Sequence, residues 1–246
     1  MSHALLDVRG LSRRFGGLQA VRDLSFSVDE REIVALIGPN GAGKTTVFSL
    51  LSGFLAPDSG DMRLGGRSIV GRKPHEVCAL GVARTFQIVR PFPKLTVLEN
   101  VLIGALVRHP RRRDAEAHAR AVLDEVGLAA KAAQPAGTLT LSERKRLELS
   151  RALATEPRLL LLDEVMAGLN TTEVERTLEL VRAINARGIA VLLIEHVMRA
   201  VMSLASRIVV LNYGERIAEG RPDEIANDRR VIEAYLGEPD VDAAVP

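Results

Sequence analysis

The sequence predicts an α/β fold, built on a mostly parallel β-sheet core with a helical insertion. From Glu32 onward, short apolar runs typical of buried strands alternate with segments of helical periodicity. Between about residues 90 and 137 the pattern is almost entirely helical. With 246 residues, 47% of them hydrophobic, the chain can form one large domain or a core with a small subdomain.

The first half of the chain contains three predicted strands and two predicted helices. Leu24, Phe26 and Val28 alternate with polar residues, which indicates a half-buried strand. Thr96 and Glu99 form the capping-box pattern that begins a helix. The predicted strands are 24–28, 32–38 and 82–87, and the predicted helices are 44–53 and 96–107.

The second half alternates more regularly. Gly127 should end one helix, Thr172 with Glu175 should begin another, and Gly188 should end that one. A turn at 212–214 predicts a β-hairpin. The predicted helices are 115–126, 142–154, 172–187, 196–205 and 222–236, and the predicted strands are 158–162, 189–194, 207–211 and 215–218.

Two segments fall outside this alternation. We interpret the charged stretch RHPRRRD, residues 108–114, as a solvated loop; the alternative is a basic patch that contacts lipid headgroups or a partner. The last residues, 238–246, are expected to form a flexible tail.

Charge, aromatic content, cysteine content and the length of the apolar runs argue against several classes of protein. The formal charge is 33 − 31 = +2, and aromatic residues make up only 3%, which disfavours a nucleic-acid-binding protein. The single cysteine, Cys78, allows no internal disulfide and suits a reducing compartment. We expect no signal peptide, and the longest apolar runs are far shorter than the roughly 18 residues of a membrane helix. Any membrane-spanning part must therefore belong to another chain.

The segment GPNGAGKTT matches the phosphate-binding pattern G-x-x-x-x-G-K-[ST], and it lies where that pattern requires, between a strand and a helix. Backbone amides and a helix N-terminus would surround phosphate groups, with Lys44 adding positive charge. Thr45 offers a hydroxyl to Mg²⁺. The predicted nucleotide-binding residues of this loop are Gly38, Asn40, Gly41, Ala42, Gly43, Lys44, Thr45 and Thr46.

Two carboxylates follow the apolar run LLLL. Asp163 is predicted to hold Mg²⁺, and Glu164 to orient or deprotonate the attacking water in phosphoanhydride hydrolysis. Taken alone, such a pair could simply cap a turn. Together with the phosphate loop it predicts an ATPase.

With this loop and this carboxylate pair, the chain resembles the ATP-binding subunits of ABC transporters over about residues 4–237. The resemblance implies a P-loop NTPase cassette with an N-terminal antiparallel β subdomain, and a helical subdomain at about 90–155 within a single domain, 1–237. It implies that Phe15 stacks on adenine, that Gln87 joins the Mg²⁺ chemistry to the membrane partner, and that His196 contacts the γ-phosphate. Residues 167–170 match the loop that touches the opposite subunit.

The family's signature, usually Leu-Ser-Gly-Gly-Gln, is altered. Here Leu141-Ser142 is followed by Glu143, Arg144 and Lys145. Ser142 would still reach the ATP of a second subunit, while Glu143 would repel phosphate and the two cations would offset it. We interpret the element as used but weakened; the alternative is a capped helix start at an inactive composite site.

Segments such as FGGLQAV and VIEAYLGEP resemble branched-chain amino-acid importers. That resemblance implies ATP and Mg²⁺ as ligands, a second ATPase subunit of the same or a different kind, two permeases and, indirectly, a periplasmic binding protein. It places the chain at the cytoplasmic face of a bacterial inner membrane. The alternatives are a lipopolysaccharide-type exporter subunit, a cytosolic ABC ATPase without a membrane partner, and an importer of urea or short amides. A P-loop small-molecule kinase is excluded because no residues suggest a second substrate site.

Overall fold

A computed structural model describes residues 4–87 and 90–236. The strands are β1 (Leu6–Phe15), β2 (Leu18–Val28), β3 (Ile33–Ile37), β4 (Ser59–Leu64), β5 (Arg67–Ser68), β6 (Val82–Arg84), β7 (Leu159–Asp163), β8 (Ala190–Ile194), β9 (Arg207–Asn212) and β10 (Glu215–Gly220). The helices are α1 (Lys44–Leu51), α2 (Pro74–Leu80), α3 (Val97–Ala105), α4 (Arg112–Glu125), α5 (Leu141–Leu153), α6 (Thr171–Ala186), α7 (Met198–Leu204), α8 (Pro222–Ala226) and α9 (Arg229–Leu236). Short 3₁₀ turns lie at Ala129–Lys131 and Ala136–Thr138.

The strands form two sheets. The larger has the order β10-β9-β3-β8-β7-β6, parallel throughout except for the antiparallel edge strand β10. The smaller is antiparallel, with the order β2-β1-β4-β5. The prediction of a mostly parallel core with an N-terminal antiparallel β subdomain and an inserted helical region is therefore confirmed.

Side-chain alternation along the parallel strands builds two hydrophobic cores. Val34 and Leu36 of β3 face a core shared with the antiparallel sheet and with Phe48 of α1. Ala35 and Ile37 face the opposite core, which is shared with the helices inserted between β6 and β7. Because both faces are covered, every residue of β3, β7 and β8 is buried, which explains their uninterrupted apolar sequences.

Several predicted boundaries differ from the structure. Helix α6 begins at Thr171, because Asn170 accepts a hydrogen bond from the Glu173 amide at 3.0 Å; the predicted start with Thr172 and Glu175 was wrong by two residues. Residues 112–114 form the first turn of α4, where an acidic residue favours the helix N-terminus, so only 108–111 form a loop. The predicted helix 222–236 is divided into α8 and α9.

In the described ranges, no helix is long and apolar enough to cross a membrane. The predicted tail, 238–246, lies outside those ranges. The division of the chain into a single domain, 1–237, with a helical subdomain at about 90–155 stays a prediction.

Candidate functional site

The loop between β3 and α1 forms the floor of the candidate site. A Cβ atom at Gly43 would lie 2.3 Å from the carbonyl oxygen of Ala20, and one at Gly38 would lie 2.0 Å from that of Leu211. Both residues also have positive φ angles, 102° and 149°. Only glycine fits at these two positions, because the loop is pressed against the neighbouring strands.

Lys44 closes this loop from one side. Its Nζ donates hydrogen bonds to the carbonyl oxygens of Gly38 at 2.6 Å and Pro39 at 2.8 Å. It is also the first residue of α1, whose first turn carries no acidic side chain. A helix N-terminus and an ammonium group therefore face the same loop, an arrangement that binds phosphate groups.

A cleft of about 560 Å³ opens above this floor. It is lined by residues 40–46 together with Phe15, Glu164, His196 and Tyr213. The Phe15 side chain is 42% exposed, and the guanidinium carbon of Arg13 lies 5.0 Å from its ring centroid. The cleft therefore combines a phosphate-binding loop with an accessible aromatic ring, as a nucleotide requires.

Three predicted residues from separate segments meet in this region. The Nε2 of Gln87 donates to Oε2 of Glu164 at 2.5 Å, and Nε2 of His196 lies 2.8 Å from Oε1 of the same carboxylate. Glu164 has a φ of 50°, a left-handed conformation that is strained for a residue with a side chain. Its amide donates to the carbonyl oxygen of Ile194 at 2.9 Å, which holds this conformation. The strained turn carries Glu164 away from the strand and places its carboxylate between the amide and the imidazole.

The residues predicted to bind Mg²⁺ line a second cavity of about 460 Å³. Thr45, Gln87 and Asp163 all contribute to it, and Thr45 also lines the first cleft. Asp163 accepts a hydrogen bond from Nη2 of Arg84 at 2.8 Å, and both side chains are nearly inaccessible to solvent. Burial raises the pKa of Asp163, while the Arg84 guanidinium opposes that effect. Thr45, Gln87 and Asp163 supply hydroxyl, amide and carboxylate oxygens, which are the ligands that a hard cation such as Mg²⁺ prefers. The Arg84 guanidinium shows that Asp163 already has a positively charged group beside it.

Comparisons with known proteins agree with this geometry. Residues 21–167 match the ABC transporter family. The chain belongs to that family. Residues 215–241 also match the branched-chain amino acid ATP-binding cassette transporter family. The predictions of a P-loop ABC cassette and of an ATP-binding, ATP-hydrolysing transport subunit are confirmed.

Individual relatives of this ABC subunit carry consistent descriptions. The high-affinity branched-chain amino acid transport ATP-binding protein BraF of Pseudomonas aeruginosa is 44% identical over 97% of this chain and 100% of its own. LivG of Escherichia coli K12, described in the same words, is 42% identical with the same coverage. A nucleotide-free ATP-binding cassette from an ABC transporter superposes with a TM-score of 0.88 at 30% identity, covering 96% of this chain and 100% of that one. An ADP conformation of such a cassette gives 0.87 at 30% identity with the same coverage.

Sequence reasoning missed the residues that support the segment around Glu164 in this ABC subunit. Nζ of Lys145, on α5, donates to the carbonyl oxygen of Glu164 at 2.9 Å. The Glu195 carboxylate accepts from the Met166 amide at 2.9 Å. Burial raises the pKa of Glu195 to about 7, an effect that the nearby Lys145 partly opposes. No local pattern could have identified this arrangement, since a lysine on an otherwise polar helix suggests a solvated side chain.

Arg84 was missed for a similar reason. It ends the short strand β6, and its guanidinium also donates to Oγ of Ser49 and of Ser52. The sequence RTFQ drew attention to Gln87 alone, because Arg84 has no neighbour along the chain that would indicate a buried ion pair with Asp163. Its role depends entirely on the pairing of β6 with β7.

The altered signature forms a capped helix start. Helix α5 begins at Leu141, one residue before the predicted start, and its N-cap is Thr140, whose Oγ1 accepts from the Glu143 amide at 3.3 Å. The Glu143 carboxylate accepts from the Thr140 amide and pairs with Nζ of Lys131 at 2.5 Å, which lowers its pKa. Its negative charge is therefore offset by Lys131.

The two cations that were expected to offset Glu143 are directed elsewhere. Nε of Arg144 donates back to the carbonyl oxygen of Leu139, and Lys145 is buried against Glu164. Ser142 lines neither of the two cavities described above. The structure thus brings every predicted site residue except Ser142 to the two adjoining cavities or the loop beneath them.

Proposed function

We propose that this chain hydrolyses ATP to power an importer of branched-chain amino acids or related amino acids and amides. The placement of Glu164 between Gln87 and His196, at the mouth of the phosphate loop, carries the catalytic part of the proposal. The match of residues 215–241 and the relatives described as branched-chain amino acid transport proteins support the substrate class. Neither alternative, an exporter nor a non-transport ATPase, has comparable support.

Each residue of the site has a defined task in this proposal. Residues 40–46 bind the triphosphate, with Lys44 and the α1 N-terminus stabilising its negative charge and Thr46 bonding the α-phosphate, while Phe15 stacks on adenine. Thr45, Gln87 and Asp163 would hold Mg²⁺, which neutralises phosphate charge when bound.

Glu164 acts on the attacking water. Its carboxylate accepts the proton or orients the lone pair of the water toward the γ-phosphorus, and the imidazole of His196 donates a hydrogen bond to a γ-phosphate oxygen. Gln87 and His196 both contact Glu164 directly, so they also hold its carboxylate in one orientation. In-line positioning and charge stabilisation supply the catalysis.

The working unit is a pair of such subunits, identical or different, bound to permeases. Because Ser142 faces neither cavity of its own chain, the α5 N-terminus is available to the ATP of a second subunit. Permeases would contact the helical region near Gln87, and a periplasmic binding protein would act only through them. In this proposal the chain works at the cytoplasmic face of a bacterial inner membrane.

Hydrolysis of Mg-ATP by the purified chain tests the catalytic assignments. Glu164→Gln should reduce turnover about 10²- to 10⁴-fold while ATP binding persists, because it removes only the general base. Glu175→Gln, at an exposed carboxylate paired with Arg199, is the matched control and should behave as wild type. Equal turnover by Glu164→Gln and wild type would refute the assignment. A wild-type chain that binds ATP without turnover would indicate that a different ATPase subunit is required.

Uptake of labelled leucine tests the transport part. Cells that lack this chain should lose uptake, and wild type but not Glu164→Gln should restore it. Unchanged uptake in the deletion strain would refute the substrate class, but it would not contradict the ATPase assignment.

A further inference from the structure

Two histidines and a glutamate converge where the helical region meets the loop that leads into β7. His109 follows α3, His118 lies on α4, and Glu156 lies in the loop between α5 and β7. Nε2 of His109 is 2.8 Å from Oε1 of Glu156, and Nε2 of His118 is 3.8 Å from the same atom. One nitrogen or oxygen atom from each residue falls within 4.8 Å of the others. Three potential metal ligands thus surround one point.

His118 has a buried ring nitrogen that is available to a metal ion. Its Nε2 is buried from solvent and has no hydrogen-bond partner in the described part of the chain. A buried polar atom without a partner is unfavourable, and a bound metal ion would satisfy it. Imidazole nitrogen is a common ligand of Zn²⁺.

The other two ligands are held in place as well. Glu156 has a φ of 52°, a left-handed conformation that is strained for a residue with a side chain. Arg108 secures that loop by donating from Nε to the carbonyl oxygen of Thr155 at 3.2 Å. Arg187 also acts on His118, but its charge is countered by an ion pair with Glu125. A carboxylate facing two imidazoles therefore attracts a cation.

We propose that His109, His118 and Glu156 form a binding site for a divalent transition-metal ion, best matched by Zn²⁺. Two imidazole nitrogens and one carboxylate oxygen suit Zn²⁺ and not Mg²⁺ or Ca²⁺. A tetrahedral site with bonds of about 2.1 Å separates its ligands by about 3.4 Å. The observed separations of 2.8 Å and 3.8 Å bracket that value.

Binding of the ion would link separate elements of this region. Water completes the coordination, because the Glu156 side chain is 46% exposed. The ion joins α3 and α4 to the loop that enters β7, and so it ties the helical region to the parallel sheet.

Zinc titration of the full, untagged chain tests the proposal. Isothermal calorimetry with Zn²⁺ should give one site that is weakened roughly tenfold or more in His109→Ala and in Glu156→Gln. His75→Ala removes an exposed histidine of α2 outside the cluster and should bind as wild type does. Glu156→Gln changes an exposed side chain, so the folded protein is retained and a loss of binding cannot be attributed to unfolding.

The site must also be separated from the ATPase cleft. A Zn²⁺ site at Glu164 and His196 would be blocked by a Mg-bound ATP analogue, whereas the cluster site is unaffected by it. Co²⁺ bound at the cluster should give visible absorption of a tetrahedral site, and this should disappear in His118→Ala. Absence of Zn²⁺ binding by wild type, equal binding by the variants, or competition by nucleotide would each overturn the proposal. None of these outcomes bears on the ATPase assignment.

Discussion

Removing Arg84 tests how the second cavity, which contains the predicted Mg²⁺ ligands, is stabilised. Its ion pair with Asp163 is 2.8 Å long, and the two side chains are 8% and 3% exposed. Arg84→Met keeps a long apolar side chain beside Phe48 and Phe86, which the guanidinium overlies, but removes the charge. Breaking one partner of a buried pair costs about 3–5 kcal/mol. Because burial already raises the pKa of Asp163, its carboxylate can take up a proton, and we expect about 3 kcal/mol.

Urea unfolding measures this loss. Arg63→Met is the matched control, since its pair with Asp61 is 52% and 36% exposed and should contribute less than about 1 kcal/mol. The loss at position 84, relative to wild type under the same conditions, should shrink when Mg²⁺ and a non-hydrolysable ATP analogue are present, because a bound cation again faces Asp163. A loss below about 1 kcal/mol, or one that Mg-nucleotide leaves unchanged, would refute the reasoning.

Four other variants test contacts around the site. Folded Glu195 has a pKa of about 7 against its ordinary 4.5, so its contribution to stability is present below that ordinary value and is lost as pH rises through 7. Glu195→Gln should therefore remove a decline of about 2 kcal/mol in unfolding free energy between about pH 5.5 and 8.5; a wild-type curve that is already flat would contradict this. Thr140→Ala should lower stability by about 1 kcal/mol and Ser142→Ala by less than about 0.5, and equal losses in thermal unfolding would show that Thr140 is not the cap. Lys145→Met should lower kcat roughly tenfold with little change in ATP affinity, since it shifts Glu164 and not the phosphate loop. An unchanged kcat would show that Glu164 needs no support from α5.

The buried parallel strands were predictable because each one can be recognised from its own residues alone. Ile33–Ile37 and Ala190–Ile194 are apolar on both faces, and both faces are covered by other layers. The phosphate loop was predictable for a related reason: its glycines, lysine and threonines are consecutive, so the whole motif is visible in one segment.

The antiparallel sheet was harder to predict. Strand β1, LDVRGLSRRF, pairs with β2 through several register shifts, which interrupt the period-2 alternation that would reveal a strand. Helix starts were also ambiguous where the sequence offers two caps. Both Asn170 with Glu173 and Thr172 with Glu175 match the capping box, and asparagine is the stronger N-cap.

By itself, the sequence predicted the loop at 38–46 and the Asp163–Glu164 pair, and the family resemblance added Gln87 and His196. Only the tertiary structure decided which groups hold them. Arg84 reaches Asp163 across 79 residues, and Lys145 is buried behind Glu164. These contacts join segments that strand order and helix packing bring together. A local pattern of residues does not show which distant segment will pack against it.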